Sequence, residues 1–255
     1  SDAWNNKFAS NEYELVMKKD GEVPLKLYME TGEVLDVTGA DIYHLVFNSD
    51  QPWNISANGT IFKTDFQGIV PGLLERWYAE RKELQAKKKE ATTPEQIAFW
   101  DKRQLVKKIN LNSLYGAILN PGCRFYDKRI GQSTTLTGRM ITRHMGAETN
   151  RMLTGEYDHE GATVVYGDTD SVYFSAQPAL TDGQELDMES AIALYDKISD
   201  DVSDTFPAFL KKEFNVPLQA GQVMKAGREV VGRSGVFITK KLYAIKCLDI
   251  EGYQP

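Results

Sequence analysis

The chain has 255 residues, of which 42% are hydrophobic and 11% aromatic, so it can bury one large or two modest cores. The formal net charge of −6 argues against binding nucleic acid through overall charge, and no apolar run is long enough to span a membrane. Cys123 and Cys247 have no CxxC or Cys/His companion, which argues against a zinc site or a disulfide framework and predicts a reducing, cytoplasmic location.

The charge is unevenly distributed along the sequence. Acidic residues crowd positions 182–204, whereas Lys and Arg crowd positions 81–89, 102–108, 124–129 and 225–241. A locally basic face on an acidic protein can still bind phosphate groups.

The first 66 residues alternate apolar and polar positions, as in Leu25-Lys26-Leu27-Tyr28. Asp20-Gly21 and Thr31-Gly32 supply turn residues between these segments, and irregular loops are expected near Pro52 and Asn58-Gly59. This pattern predicts a small antiparallel β unit with a structural or docking role.

Two helices are predicted next, the first from about Ile69 to Glu90 and the second from Thr93 to about Gly116. Thr93 is the expected N-cap, with Pro94 in the first turn and Gln96 able to bond back. A connection of only a few residues makes the two helices antiparallel neighbours. Basic runs on such helices usually face solvent.

Three residues of unlike chemistry share one face of the second helix, because Lys108, Asn112 and Tyr115 are spaced four and three apart. Together they could contact a phosphate chain, a sugar or base edge, and a stacked base. Arg81 on the partner helix could add a second cation to that face. The alternative is a core Tyr115 beside a solvated Lys108.

The segment Val164–Phe174 is predicted to be a β-hairpin whose turn carries two aspartates, between helices expected at 134–153 and 187–212. On extended backbone, Asp168 and Asp170 would project to the same side of the ribbon. Neighbouring carboxylates that a cation neutralises suit a hard divalent ion such as Mg²⁺. The alternative is an Asp-x-Asp sequence that closes a solvated turn.

The last part of the chain is predicted to contain a strand at 223–231, a turn at Gly232–Gly235 and a second strand at 236–245. On that second strand, Lys241 and Tyr243 would project to one face and Lys240 to the other. Cations interleaved with an aromatic suit a nucleic-acid backbone, although lysines also protect ordinary edge strands.

Three segments, taken in order, resemble family B DNA polymerases, most closely the replicative polymerases of tailed bacteriophages. Lys108-x-x-x-Asn112-Ser113-Leu114-Tyr115-Gly116 resembles the fingers-helix motif of that family, and Tyr166-Gly167-Asp168-Thr169-Asp170-Ser171 resembles its palm carboxylate motif. Lys240-Lys241-Leu242-Tyr243 resembles the KKxY element that grips the primer–template. The resemblance covers roughly residues 58 to 250 and is specific because all three segments occur in order.

The resemblance implies two-metal phosphoryl transfer that adds a deoxynucleotide to a primer 3′-hydroxyl, with two Mg²⁺ ions or, alternatively, Mn²⁺. It implies that Asp170 is a metal ligand, that Asp168 stands beside the site and that Glu229 lies near the metals. The implied contacts to the incoming nucleotide are Arg81, Lys108, Asn112, Tyr115 and Gly116. The implied contacts to the primer–template are Lys240, Lys241 and Tyr243.

The implied architecture is α+β, with a palm of antiparallel β-sheet and packing helices and a two-helix fingers hairpin. Its parts are a β-rich, palm-associated segment at 1–66, fingers at 67–119 and a palm at 120–255. The implied partners are primer–template DNA and deoxynucleotides, with a sliding clamp as a further candidate. For a phage-encoded protein, the implied location is the cytoplasm of the infected host.

Two features depart from the family pattern. Gln85 occupies the position of a customary Lys one turn after Arg81, so a triphosphate contact is missing or moved to Lys82. No segment resembles the Asp-x-x-Ser-Leu-Tyr-Pro-Ser motif, which supplies the second metal-bridging Asp and whose expected place is just upstream of Ser1. The chain is therefore expected to be a split-polymerase subunit or a piece of a longer enzyme.

Two other functions stay open. One is a non-catalytic nucleic-acid-binding or assembly subunit that retains the polymerase fold. The other is a nucleotide cyclase, which also uses two metals but needs neither the helical hairpin nor the Lys240-Lys241 element. The presence of both aspartates together with Lys108 and Tyr115 favours catalysis.

Overall fold

A computed structural model describes residues 22–177, 180 and 186–252. Its helices and strands are β1 (Pro24–Tyr28), β2 (Val34–Thr38), α1 (Gly39–Phe47), β3 (Trp53–Ile55), β4 (Ile61–Lys63), α2 (Ile69–Glu90), α3 (Pro94–Ile118), α4 (Lys128–Thr154), β5 (Val164–Asp168), β6 (Ser171–Phe174), α5 (Met188–Phe214), α6 (Leu218–Gly221), β7 (Val230–Thr239) and β8 (Leu242–Ile250). The described strands form antiparallel hairpins, each pairing only with its neighbour in sequence. The mixture of helices and antiparallel strands confirms the predicted α+β class.

Helix α5 is the element around which the hydrophobic interior is built. Its buried side chains occur at every fourth position: Ile198, Val202, Phe206, Leu210 and Phe214. Each step of four residues turns by about 40° on an α-helix, so the row turns by about 160° over its length. The two ends of α5 therefore face different neighbours and contribute to separate cores.

The first core joins α5 to α4 and to the end of the β5–β6 hairpin. Its buried members are Ala176, Ile198, Val202 and Phe206, with Met145 and Met152 of α4 packed against them. The second core joins the other end of α5 to the N-terminal hairpins and α1. Its buried members are Ile42, Val46, Ile55, Ala57, Leu210 and Phe214.

Helix α1 corrects the prediction that the first 66 residues form only a β unit. Thr38 caps the helix, since its Oγ1 accepts a hydrogen bond from the Asp41 N–H (3.1 Å) while the Asp41 carboxylate accepts one from the Thr38 N–H (2.8 Å). This reciprocal capping box favours helix over extended backbone, and Ile42 and Val46 then lie one turn apart in the second core. The expected turn at Gly32 is confirmed by its φ of +87°. The one at Asp20-Gly21 lies outside the described residues.

Helices α2 and α3 form the predicted antiparallel hairpin. Thr93 caps α3 as expected, because its Oγ1 accepts from the Gln96 N–H at 3.3 Å. Every residue of α2 is described and none is buried, while Ile118 is the sole buried residue of α3, which is likewise fully described. The hairpin therefore contributes little to either core.

The predicted strand at 223–231 is wrong for all but its last two residues. The Ala226 N–H donates to Ser203 Oγ (2.9 Å), and the Ala226 carbonyl accepts from the hydroxyls of Ser199 and Ser203 (both 3.1 Å). Side chains of α5 thus satisfy the backbone groups that a strand would have paired.

The predicted turn at Gly232–Gly235 is also wrong, because these residues lie inside β7. The β7–β8 register shifts on both sides of Gly232. A Cβ at this position would lie 2.3 Å from Ile245 Cγ2 on β8. Glycine serves here for a close cross-strand approach at a bulge, not for a chain reversal.

No helix among the described residues combines the length and apolar character needed to cross a bilayer.

His144 of α4 is buried between three elements. One ring nitrogen lies 2.8 Å from the Tyr157 hydroxyl and the other 2.9 Å from Thr205 Oγ1 of α5, and the ring stacks on Phe209 at 4.0 Å. Burial lowers the pKa of His144 to about 4, more than the nearby Glu148 carboxylate raises it, and the cations Lys212 and Arg151 lower it further. The neutral imidazole is therefore part of the folded structure.

We expect acid to destabilise the protein through His144. The unfolded chain binds this proton near pH 6.5 and the folded chain only near pH 4, so stability falls as pH drops across that interval. The full interval corresponds to roughly 3 kcal/mol, of which about 2 kcal/mol is lost by pH 5. Urea denaturation at pH 8 and pH 5 should show a smaller loss for His144→Gln than for the unmodified chain. His159→Gln, at a half-exposed histidine, should leave the loss unchanged; equal losses in all three proteins would contradict this prediction.

Candidate active site

The β5–β6 hairpin presents the two predicted aspartates at its tip. Asp168 pairs with Ser171, which leaves Thr169 and Asp170 as a two-residue turn. Thr169 has a φ of +53°, a left-handed conformation that is unfavourable for a β-branched residue. The turn is closed locally by the Ser171 hydroxyl, which donates to the Asp168 carbonyl at 3.0 Å.

The two carboxylates have different surroundings. The Asp168 side chain is 18% exposed and its Oδ2 lies 3.9 Å from Nζ of Lys241, whereas Asp170 is exposed at the turn. The sequence argument placed both side chains on one side of an extended ribbon. That argument does not apply, because the chain reverses at Asp170 and strand alternation ends at Asp168.

The tip of the β7–β8 hairpin lies against the β5–β6 hairpin. The Lys241 N–H donates to the Tyr166 hydroxyl (2.8 Å), and the hydroxyls of Tyr173 and Tyr243 are 2.8 Å apart. Four rings from the two hairpins pack together, with centroids 5.2–5.8 Å apart: Tyr166, Tyr173, Phe237 and Tyr243. The hydrogen bond with Tyr243, followed by burial, raises the pKa of Tyr173 to about 12, so its hydroxyl keeps its proton at neutral pH.

The predicted placement of Lys240 and Lys241 on opposite faces of a strand is wrong. β7 ends at Thr239 and β8 begins at Leu242, so the two lysines form the turn between them. Lys241 has a φ of +63°, in the left-handed region. The turn brings Lys241 to Asp168, a proximity that strand geometry did not suggest.

Sequence reasoning missed the aromatic residues that join the two hairpins. Tyr166 and Tyr173 are cross-strand partners in the β5–β6 ladder, and Phe237 and Tyr243 are partners in the β7–β8 ladder. The signal available was the recurrence of aromatics on strands that flank a polar turn, which is typical of stabilising cross-strand pairs.

Glu229 is exposed just before β7, and its carbonyl accepts from the Glu251 N–H at 2.7 Å. Its neighbour Arg228 is largely buried and pairs with Asp196 of α5 (2.5 Å) and with Asp249 of β8. These ion pairs fix the start of β7 on α5. Within the described ranges, no three His, Cys, Asp or Glu side chains are grouped closely enough to hold a metal ion, so the role predicted for Glu229 stays a prediction.

The donor chemistry at the hairpin tip nevertheless suits Mg²⁺. This ion prefers oxygen ligands, retains several waters and is usually held by one or two protein carboxylates together with substrate phosphates. Asp168 and Asp170 supply two carboxylates one residue apart, and the exposure of Asp170 leaves it accessible to a substrate-bound ion. These two residues fit the ion without a complete protein cage.

The predicted nucleotide contacts lie on the helical hairpin. Arg81 Nε donates to Gln104 Oε1 at 3.2 Å, and Gln104 is one turn before Lys108 on α3. This contact brings Arg81 to the stripe that Lys108 and Asn112 share, both of which are exposed. The basic end of Arg81 therefore lies near the predicted phosphate-binding face, as the antiparallel arrangement suggested.

Tyr115 and Gly116 lie where α3 meets α4. The Tyr115 hydroxyl is bonded to Thr135 Oγ1 and lies 3.5 Å from the Gly131 carbonyl, so Tyr115 is tied to α4 rather than to solvent. A Cβ at Gly116 would meet nothing within 4 Å. The surface beside Tyr115 is therefore open.

A family model described as DNA polymerase family B matches residues 35–217, more than half of the chain. The chain therefore belongs to DNA polymerase family B. The matched range contains the helical hairpin and the Asp168–Asp170 turn, and it ends before the β7–β8 hairpin.

Among its relatives, the DNA polymerase delta catalytic subunit of Oryza sativa subsp. japonica is 36% identical over 158 residues, or 61% of this chain and 14% of the relative. DNA polymerase 1 of Pyrococcus abyssi is 29% identical over 194 residues, or 76% of this chain and 21% of the relative. A DNA polymerase of Phaeocystis pouchetii virus is 29% identical over 154 residues, covering 57% of this chain and 15% of the relative. The chain thus spans about a fifth or less of these relatives, and the closer resemblance to bacteriophage enzymes stays a prediction.

Proposed function

We propose that this chain is the core of a template-directed DNA polymerase, with the 67–119 region as fingers and the two C-terminal hairpins as part of the palm. The observation that carries the proposal is the Asp168-Thr169-Asp170 turn, presented at a hairpin tip beside Lys241 within a chain of DNA polymerase family B. The β-rich segment up to residue 66 shares a core with α5 and supports that palm.

In this proposal the protein binds and orients the reactants. Asp168 and Asp170 hold the divalent ions, which when bound lower the pKa of the primer 3′-hydroxyl and neutralise charge on the triphosphate during in-line attack. Arg81 and Lys108 hold the triphosphate, with Asn112 beside them on the same face. Mg²⁺ is the proposed ion and Mn²⁺ an alternative.

The nascent base pair and the duplex contact other parts of the chain. Tyr115 faces the pair, and the open space at Gly116 leaves room for it. Lys240 and Lys241, exposed on the β7–β8 turn, bind the phosphate backbone with Tyr243, where base pairing and not protein contact supplies sequence.

The active site is proposed to be completed by a second acidic segment. The sequence contains no Asp-x-x-Ser-Leu-Tyr-Pro-Ser motif, and the described acidic side chains do not form a group of three around a metal. A second polypeptide, or another part of the same polymerase, would supply the missing Asp and the sugar-discriminating residues.

The same observation also favours the second candidate, a non-catalytic nucleic-acid-binding or assembly subunit. The deciding experiment is Mg²⁺-dependent primer extension by the chain alone and mixed with a polypeptide that carries the missing motif. Extension only in the mixture is the expected result. No extension in either sample, with retained binding to duplex DNA, would support the non-catalytic function.

We expect the α2–α3 hairpin to close on substrate. Its low burial and its separation from both cores leave it free to move as a unit, as fingers and lids do when they sequester a reactant. Addition of primer–template and the correct deoxynucleotide should slow amide hydrogen exchange in residues 70–116. A non-complementary deoxynucleotide is the control; unchanged exchange with the correct one would contradict the prediction.

A further inference from the structure

The turn between the two aspartates adopts a conformation that its own sequence disfavours. Thr169 lies in the left-handed region at φ +53°, where a non-glycine residue costs about 1–2 kcal/mol. A strained residue of this kind persists only when its surroundings hold it in place. Asp168 and Asp170 are its immediate neighbours, so the conformation of Thr169 sets the relative placement of both carboxylates.

A contact from α4 reaches the backbone of this turn. The Thr142 hydroxyl donates to the Thr169 carbonyl at 2.9 Å, across 27 positions of sequence. Local bonds cannot fix the turn against the rest of the fold, since the Ser171 and Thr169 hydroxyls both bond to Asp168 itself. The Thr142 contact connects the turn to a long helix that packs against α5 through the first core.

The Thr142 hydroxyl has a second acceptor within reach, the Gly138 carbonyl one turn earlier at 3.1 Å. A hydroxyl carries one proton, so the turn and the helix share or compete for it. Other threonines of α4 make only the helix-directed bond among the described contacts; Thr134, for example, donates to the Ile130 carbonyl at 3.2 Å. Thr134 therefore provides a matched control.

We propose that Thr142 is a positioning residue that holds the Asp168–Asp170 turn in its left-handed conformation through the Thr169 carbonyl. Its effect on the turn is independent of the proposed polymerase function, whereas its effect on catalysis rests on that function. Thr142 touches neither the reacting atoms nor a metal. It acts by fixing the carboxylates before they bind an ion.

The test compares Thr142→Val, which keeps the shape of the side chain but removes the hydroxyl, with Thr142→Ser, which keeps the hydroxyl. In the isotope-labelled chain, the HN–Hα coupling and backbone chemical shifts of Thr169 should show loss of the positive φ in Thr142→Val and its retention in Thr142→Ser. Thr134→Val should behave as the unmodified chain. An unchanged Thr169 in Thr142→Val would overturn the proposal.

A second readout addresses catalysis in the mixture that contains the missing acidic segment. Loss of a residue that orients metal ligands typically costs about 10–100-fold, so kcat of Thr142→Val should fall by that factor while KM for the deoxynucleotide stays within about 2-fold. Thr142→Ser should restore kcat. A relaxed turn with undiminished kcat would overturn the catalytic part of the proposal. If the unmodified mixture extends no primer, the polymerase function fails, and the Thr169 measurement still decides whether Thr142 positions the turn.

Discussion

Asp170→Asn is expected to reduce Mg²⁺-dependent primer extension by the completed polymerase at least about 10³-fold. A bound metal supplies several kcal/mol of transition-state stabilisation, and each 1.36 kcal/mol corresponds to a tenfold change in rate. Asp170 is exposed at the hairpin tip, so the substitution removes charge without disturbing either core. The measurement is single-turnover extension of a labelled primer, with thermal unfolding recorded in parallel.

The same experiment distinguishes the two aspartates. Asp168→Asn should also impair extension, and it additionally removes the carboxylate that faces Lys241. Asp200→Asn, which neutralises an exposed carboxylate on α5, is the matched control and should leave the rate unchanged. Full activity in Asp170→Asn would exclude Asp170 as a metal ligand and would require a different acid at the site.

Phe214→Ala is expected to lower the free energy of unfolding by about 3–5 kcal/mol, the usual cost of removing a buried aromatic ring. Phe214 is 1% exposed at the end of α5, where it packs with Val46 of α1 and Ile55 of β3. A domain is typically stable by about 5–15 kcal/mol, so this loss would remove much of the total. Urea denaturation followed by circular dichroism measures it.

The control for Phe214 is another phenylalanine in the N-terminal part of the chain. Phe66 is 66% exposed, and Phe66→Ala should change the free energy of unfolding by no more than about 0.5 kcal/mol. Similar losses in the two variants would mean that the second core does not join the N-terminal hairpins to α5. A loss confined to Phe214→Ala would support the assignment of that segment to the palm.

Much of the candidate site was predictable because its signals are local. The cap at Thr93 and the spacing of Lys108, Asn112 and Tyr115 depend on helical periodicity over a few residues. The β5–β6 hairpin was likewise indicated by two apolar arms around a short polar turn. The match to DNA polymerase family B covers these segments.

The errors came from residues whose local preferences were ambiguous. Gly232 predicted a turn but lies at a bulge, because the deciding factor is the approach of Ile245 from the opposite strand. Lys240 and Lys241 predicted a strand but form a turn, although neither is a typical turn residue. Helix α1 was missed even though the Thr38–Asp41 capping box is a local signal, since apolar alternation was given more weight.

By itself, the sequence determined which elements form along most of the chain and which residues occupy the hairpin tip and the helix face. The tertiary structure decided which of them meet: Lys241 with Asp168, Tyr173 with Tyr243 across 70 positions, and Thr142 with the Thr169 carbonyl. The physical reason is that periodicity and turn chemistry act over a few residues. Contacts between distant segments depend on how α4, α5 and the hairpins pack, and that packing is set by the two cores together.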